Sequence, residues 1–141
     1  IFLIESHYID LKIYLLYSVL VAILSDVGGL VFGKTFKGKK LTKISPNKTI
    51  SGSIGSIVLS MVLIPIFYNE LIIYDLLTLI ILTIVISLIS QIGDLFISFL
   101  KRKAKVKDTS DLLPGHGGLL DRVDGIIFAV PLGILLLNFL N

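Results

Sequence analysis

The sequence predicts an all-α, polytopic integral membrane protein of about four transmembrane helices, and three observations carry that expectation. The 141 residues have a mean hydropathy of +0.96. Hydrophobic residues make up 55% and charged residues 16%, against roughly 45–50% and 25% in ordinary globular domains. A domain this small buries only part of its apolar surface, so a soluble monomer and a disordered chain are both excluded. Finally, four apolar stretches, about 11–32, 54–68, 72–100 and 123–140, each lie near the roughly 20 residues a spanning helix needs. No barrel-type alternation accompanies them, and backbone satisfaction in lipid then leaves helices.

Each stretch has its own signal. The first is apolar up to a basic segment beginning at Lys34. The second is short unless residues 51–53 begin it, and it carries a row of small residues at Gly52, Ser56 and Ser60, the spacing of close helix packing. The third spans about 29 residues, roughly 43 Å of helix, so it must tilt or project beyond the bilayer. The fourth follows a glycine-rich turn. Pro65 and Pro131 fall inside the second and fourth stretches and are expected to kink them. Only Asn69, Glu70 and Leu71 separate the second and third. The whole chain, 1–141, reads as a single membrane domain.

The charge is unevenly placed. The chain has a formal net charge of +3 and thirteen Lys and Arg residues; twelve of these lie in two segments, 34–48 and 101–122, and Lys12 is the other. Alternating topology puts both segments on one side, which the positive-inside rule makes cytoplasmic. Orientation and lipid headgroup contact would account for many of these lysines, and no nucleic-acid partner is expected. There is no cysteine, which excludes disulfides, thiolate metal sites and a thiol nucleophile. Residues 1–10 carry two acids and no basic n-region, so no signal peptide is expected there. A chain beginning at Ile1 is expected to be part of a longer product.

Three acids interrupt the apolar stretches. Asp75 follows the short turn and is expected at the interface. Asp26 and Asp94 lie eight and seven residues before Lys34 and Lys101, roughly 10–12 Å along a helix from the basic loops. An intramembrane carboxylate costs at least about 2.5–3.5 kcal/mol on insertion scales, so it marks function by default; pairing with a loop lysine for packing is the alternative. After the third stretch, Lys101, Arg102, Lys103, Lys105 and Lys107 meet Asp108, the turn Gly115-His116-Gly117-Gly118, and then Asp121, Arg122 and Asp124. Acids three residues apart share a helix face. A helix start with acids and nearby amides suits phosphate together with a divalent cation. Hard oxygen donors favour Mg²⁺. His116 could contact phosphate or move a proton, whereas His7 lies in an N-terminal segment read as loose and inert.

Two strings are decoys. Gly28-Gly29-Leu30-Val31-Phe32-Gly33-Lys34-Thr35 matches a P-loop literally, but a P-loop follows a strand and this string follows an apolar span. Asn47-Lys48-Thr49 has the form of a glycosylation site in a loop expected to face the cytoplasm.

The stretch from Ser98 through Lys101-Arg102, Lys107-Asp108 and Leu113-Pro114-Gly115-His116-Gly117-Gly118 to Asp121-Arg122-Val123-Asp124 resembles the signature of phosphatidate cytidylyltransferases, or CDP-diacylglycerol synthases. Gly93-Asp94-Leu95-Phe96 resembles that family's acid-bearing helix end. Ser45-Pro46-Asn47-Lys48-Thr49 resembles its Ser-Pro-x-Lys-Thr loop, and Asp26 with Gly33-Lys34 its first segment. The resemblance covers about residues 26–131. It departs where the family usually has an acid near Ser51 and an Ala-Tyr pair near Gly29-Leu30, and family members carry several more N-terminal spans.

The resemblance implies the C-terminal part of an enzyme that transfers a cytidylyl group from CTP to phosphatidic acid, giving CDP-diacylglycerol and pyrophosphate. It implies Mg²⁺, alone or with a second cation, held by Asp94, Asp121 and Asp124. Lys48, Ser98, Lys101, Arg102, Lys107 and Arg122 are implied for substrate phosphates, with Asp26, His116, Gly117 and Gly118 beside them and Asp108 orienting Lys107. Partners are then CTP, phosphatidic acid, the bilayer and a second copy of the chain. The setting is a bacterial cytoplasmic membrane with the site facing the cytoplasm. Other CTP- or polyprenol-using membrane transferases, an inactive fragment, and an ion path through Asp26 and Asp94 are the alternatives. An ion path needs polar residues in the outer half of the second and fourth stretches, and none stand there.

Overall fold

The computed structural model describes residues 2–42, 48–71, 74–104 and 120–139, with side chains for 10–42, 48–71, 74–104 and 125–139. These residues form five helices: α1 (Phe2–Phe36), α2 (Ile50–Ser60), α3 (Leu63–Phe67), α4 (Leu76–Lys103) and α5 (Leu120–Phe139). No strand occurs among them; one isolated antiparallel bridge joins Lys40 and Thr49. The chain is an all-α polytopic membrane protein.

α1 is longer than the hydropathy stretch suggests. Nothing in Phe2–Asp10 breaks a helix, since neither Gly nor Pro stands there, so the helix runs through these residues and takes in His7. At 35 residues it extends roughly 52 Å, beyond a hydrocarbon core of about 30 Å. Its exit is a left-handed turn at Lys37, with φ 42°, whose N–H bonds to the Gly33 carbonyl.

Thr49 explains the start of α2. It is extended, φ −119° and ψ 157°, and its hydroxyl accepts from the Gly52 N–H at 3.1 Å, satisfying one of the orphan amides of a helix start. Residues 51–53 therefore do belong to the second span, which runs through α3 as Ile50–Phe67. Pro65 breaks it. Having no N–H for the Met61 carbonyl, it leaves that oxygen to Ile64, three residues on, at 3.1 Å. The second expected kink behaves differently: Pro131 sits inside a continuous α5.

α4 starts at Leu76 because Asp75 caps it, accepting from the Thr78 N–H and hydroxyl. Residues 72–73, the expected start of this span, lie outside the described residues. The helix continues to Lys103, placing Lys101, Arg102 and Lys103 in its last turn, where cations oppose the negative end of the helix dipole. Three helical segments, Asp10–Phe36, Ile50–Phe67 and Leu76–Lys103, are long and apolar enough to cross a membrane; Gly125–Phe139 is apolar but shorter.

α1 is the central helix, packed against α2, α4 and α5. Lipid tails are as apolar as leucine, so close packing and interhelical hydrogen bonds must hold such a bundle. The α1–α2 seam is made of Gly28, Gly29 and Gly33 facing Gly52, Gly55 and Ser56. A Cβ on Gly28 would stand 2.6 Å from the Gly55 carbonyl oxygen. The P-loop string is thus a helix face that admits a neighbouring backbone. Ser56 and Ser60 complete the seam, donating to the Ser25 carbonyl at 2.6 Å and the Val21 carbonyl at 3.3 Å.

Further along the bundle, Tyr17 on α1 bonds to Thr83 on α4 among Val21, Leu79, Leu82 and Ile86, all buried. At the end where α1 begins, the Tyr74 hydroxyl donates to the Leu137 carbonyl and lies 3.2 Å from the Tyr14 hydroxyl. That bond satisfies a carbonyl in the last turn of α5. The other end gathers the end of α1, the starts of α2 and α5, and the end of α4.

Candidate active site

At that second end, α1, α2, α4 and α5 enclose a cavity of about 450 Å³. Four residues singled out in the sequence line it: Asp26 from α1, Lys48 ahead of α2, and Asp94 and Ser98 from α4. Two features place Lys48 there. The Leu41 N–H bonds to the Lys48 carbonyl at 2.7 Å, and the Ile50 N–H to the Lys39 carbonyl at 3.0 Å, so the two ends of the basic loop are tied together. Thr49 then turns the chain into α2. The Lys48 ammonium forms an ion pair with the Asp94 carboxylate. Their side chains are 27% and 28% exposed, so the pair is open to the cavity rather than sealed in the core.

The walls are of two kinds. Ile23, Val27, Leu30, Leu41 and Ile126 supply apolar surface, while Ser25, Thr49, Ser53 and Gln91 supply neutral polar groups. Gly125, in the second turn of α5, also lines the cavity; a side chain there would collide with the Ser90 hydroxyl at 2.5 Å. The start of α2 borders this space through Thr49, Gly52 and Ser53, and a helix start carries partial positive charge.

The remaining sequence-stated positions divide clearly. Lys101 and Arg102 lie in the last turn of α4, three and four residues beyond Ser98, and are not part of the cavity lining. Asp121, Arg122 and Asp124 fall in the first turns of α5; their side chains are outside the description. Lys107, Asp108, His116, Gly117 and Gly118 lie outside the described residues. Among the described residues no group of three His, Asp or Glu is gathered to hold a metal ion; two carboxylates, Asp26 and Asp94, face the cavity.

Sequence reading passed over Gln91 and Ser53 as site residues, and took Thr49 only as part of the Ser-Pro-x-Lys-Thr resemblance. Gln91 precedes Asp94 by three residues and so shares its helix face. A carboxamide within an apolar stretch was the available signal.

Fold and cavity together define an integral membrane protein with a charged, partly apolar pocket at one end of its helical bundle. The chain belongs to the cytidylyltransferase family, whose sequence profile matches residues 1–140. Over 122 residues it is 43% identical to a phosphatidate cytidylyltransferase of Staphylococcus haemolyticus (strain JCSC1435) and 41% identical to one of Staphylococcus saprophyticus subsp. saprophyticus. A phosphatidate cytidylyltransferase of Staphylococcus aureus (strain COL) is 43% identical over the same length. Each match takes in 84% of this chain and 46% of the relative, so the chain spans about half the length of the curated relatives it matches.

Proposed function

We propose that this chain transfers a cytidylyl group from CTP to phosphatidic acid, releasing pyrophosphate and forming CDP-diacylglycerol. The observation that carries the reading is the cavity itself: an opposed lysine and aspartate beside the start of α2, with an apolar wall on the same space. Anionic phosphates and an acyl chain need such a combination, and it lies at the end of the bundle where α1 and α4 lead into the two basic segments.

The reaction needs no protein nucleophile. An oxygen of the lipid phosphate attacks the α-phosphorus of CTP; a new P–O bond forms as the bond from that phosphorus to the β-phosphate bridging oxygen breaks, and pyrophosphate leaves. The protein's work is alignment and charge neutralisation. Lys48 presents its ammonium to a phosphate oxygen. The start of α2 favours the same negative charge. Lys101, Arg102, Lys107 and Arg122 draw the nucleotide's phosphates to this end, with Asp108 orienting Lys107 and the turn carrying His116, Gly117 and Gly118 lying against them. Ser98 and Asp26 border the substrates, and Ile23, Val27 and Leu30 receive the acyl region.

The oxygen-only donor set suits Mg²⁺: Asp94 would hold it with Asp121 and Asp124, whose helix begins beside the cavity. A bound Mg²⁺ supplies charge neutralisation at the phosphates and the departing pyrophosphate. The membrane is a bacterial cytoplasmic membrane and the site faces the cytoplasm, as the positive-inside rule requires of the end bearing the basic segments.

The test is incorporation of α-labelled CTP into lipid by membranes carrying the chain, with phosphatidic acid and Mg²⁺. Label is expected in the lipid fraction with the unsubstituted chain and not with Asp94→Asn. Equal incorporation by both, with both inserted, would remove Asp94 from the reaction.

A further inference from the structure

Two ties join α4 to α2 and to the segment leading into it, both in the cavity wall, and they differ in kind. One is ionic, Lys48 to Asp94. The other is neutral: the Ser53 hydroxyl donates to the Gln91 carboxamide oxygen at 2.5 Å, and the carboxamide nitrogen donates back to the Ser53 carbonyl at 3.4 Å and to the Ser87 hydroxyl at 3.4 Å. Gln91 thus holds both the side chain and the backbone of one α2 residue. Ser87 in turn bonds to Ser25 on α1 at 3.0 Å, so the clasp is anchored to the central helix as well.

We infer that Gln91 is a positioning residue, a permanent clasp that keeps the start of α2, and with it Lys48, in register with Asp94. This rests on the transferase reading above. In that reaction Lys48 must give its charge to a phosphate and Asp94 must turn to the cation, so the ionic tie opens in every turnover. A tie without net charge does not compete for either ligand and survives the exchange. The spacing agrees. Gln91 stands one turn before Asp94 on α4, and Ser53 stands five residues after Lys48, inside the first turns of α2. A carboxamide is also the side chain that can donate and accept at one backbone position, and neither leucine nor glutamate does both.

The absence of native cysteine makes the register measurable without turnover. In a chain carrying Lys48→Cys and Asp94→Cys the ionic tie is gone, and the clasp remains as the neutral tie between α2 and α4 that bears on the separation of the two thiols. Cross-linking by a short bifunctional methanethiosulfonate is expected to proceed several-fold more slowly when Gln91→Met is added, with the melting temperature in detergent nearly unchanged. Ser53→Ala, which deletes one of the clasp's bonds, is expected to slow it by less, and it decides the matter should Gln91→Met not fold. An unchanged cross-linking rate in a folded variant overturns the clasp.

The kinetic arm is a double-mutant cycle. Gln91→Met is expected to lower kcat/KM for CTP about tenfold, the scale of a sub-ångström misplacement. It is expected to lower it no further in a chain already carrying Lys48→Met, because a residue acting through Lys48 has nothing left to position. Losses that multiply would show a role independent of Lys48 and overturn the assignment. A chain that incorporates no CTP at all counts against the transferase reading, while the cross-linking arm still decides the clasp.

Discussion

At the scale of single residues the account turns on Lys48 and Asp94. Each is about a quarter exposed, so their attraction stabilises the fold by about 1 kcal/mol or less. Lys48→Met is therefore expected to leave the melting temperature within a few degrees while lowering cytidylyl transfer about 100-fold or more, the scale of losing one charge-stabilising donor. Parallel thermal and turnover measurements check the separation, and a large loss of stability with little loss of rate would reverse the assignment.

Asp75 is the contrasting acid. The Thr78 hydroxyl and amide bonds hold its carboxyl below the ordinary aspartate value. A depressed folded value means that its contribution to stability is present at neutral pH and is lost as pH falls below about 3.9. Asp75→Asn should flatten the acid limb of a stability profile and leave the neutral region alone. Both intramembrane acids could be read from sequence because a carboxylate in an apolar run has so few innocent explanations. Gln91 could not, because an uncharged amide among serines fits ordinary helix packing equally well and its partner lies 38 residues away.

At the scale of elements, the small residues do what their spacing suggested. Gly52, Ser56 and Ser60 face α1, and their counterparts Gly28, Gly29 and Gly33 come from a string that looks like a nucleotide loop only as letters. Adjacent positions in that seam differ in tolerance. A Cβ at Gly28 meets backbone atoms at 2.6 and 2.9 Å, whereas one at Gly29 meets the Ser56 hydroxyl at 3.0 Å. Gly28→Ala must then push two helices apart, at a cost of about 1–3 kcal/mol, while Gly29→Ala displaces one rotatable hydroxyl and should cost less. Thermal unfolding in detergent ranks the two, and equal losses would contradict the close backbone approach. Element starts were less legible than interiors. α1 runs through residues 2–10 because no breaker stands there, whatever their hydropathy, and α4 starts behind an aspartate that caps it.

Over the whole molecule, chain order and charge foretold which ends of the helices gather, but not the shape of the space between them. The ties between residues 39–41 and 48–50 are backbone bonds with no sequence signature, and without them Lys48 would not stand over Asp94. The gathering makes a prediction about sidedness. Single cysteines at Lys39 and Lys103 should react from one side of the membrane and a cysteine at Asn69 from the other; a split between the first two would break the topology.

That the space between Asp26, Lys48, Asp94 and Ser98 receives the nucleotide is open to one direct measurement. Ser98→Cys places a lone thiol in the cavity wall, and its rate of modification by a small charged maleimide can be followed with and without CTP and Mg²⁺. Nucleotide with Mg²⁺ is expected to slow modification at position 98 several-fold and to leave a cysteine at Asn69 untouched. Identical rates at position 98 under both conditions, in membranes where CTP is being consumed, would contradict the claim and place the nucleotide elsewhere.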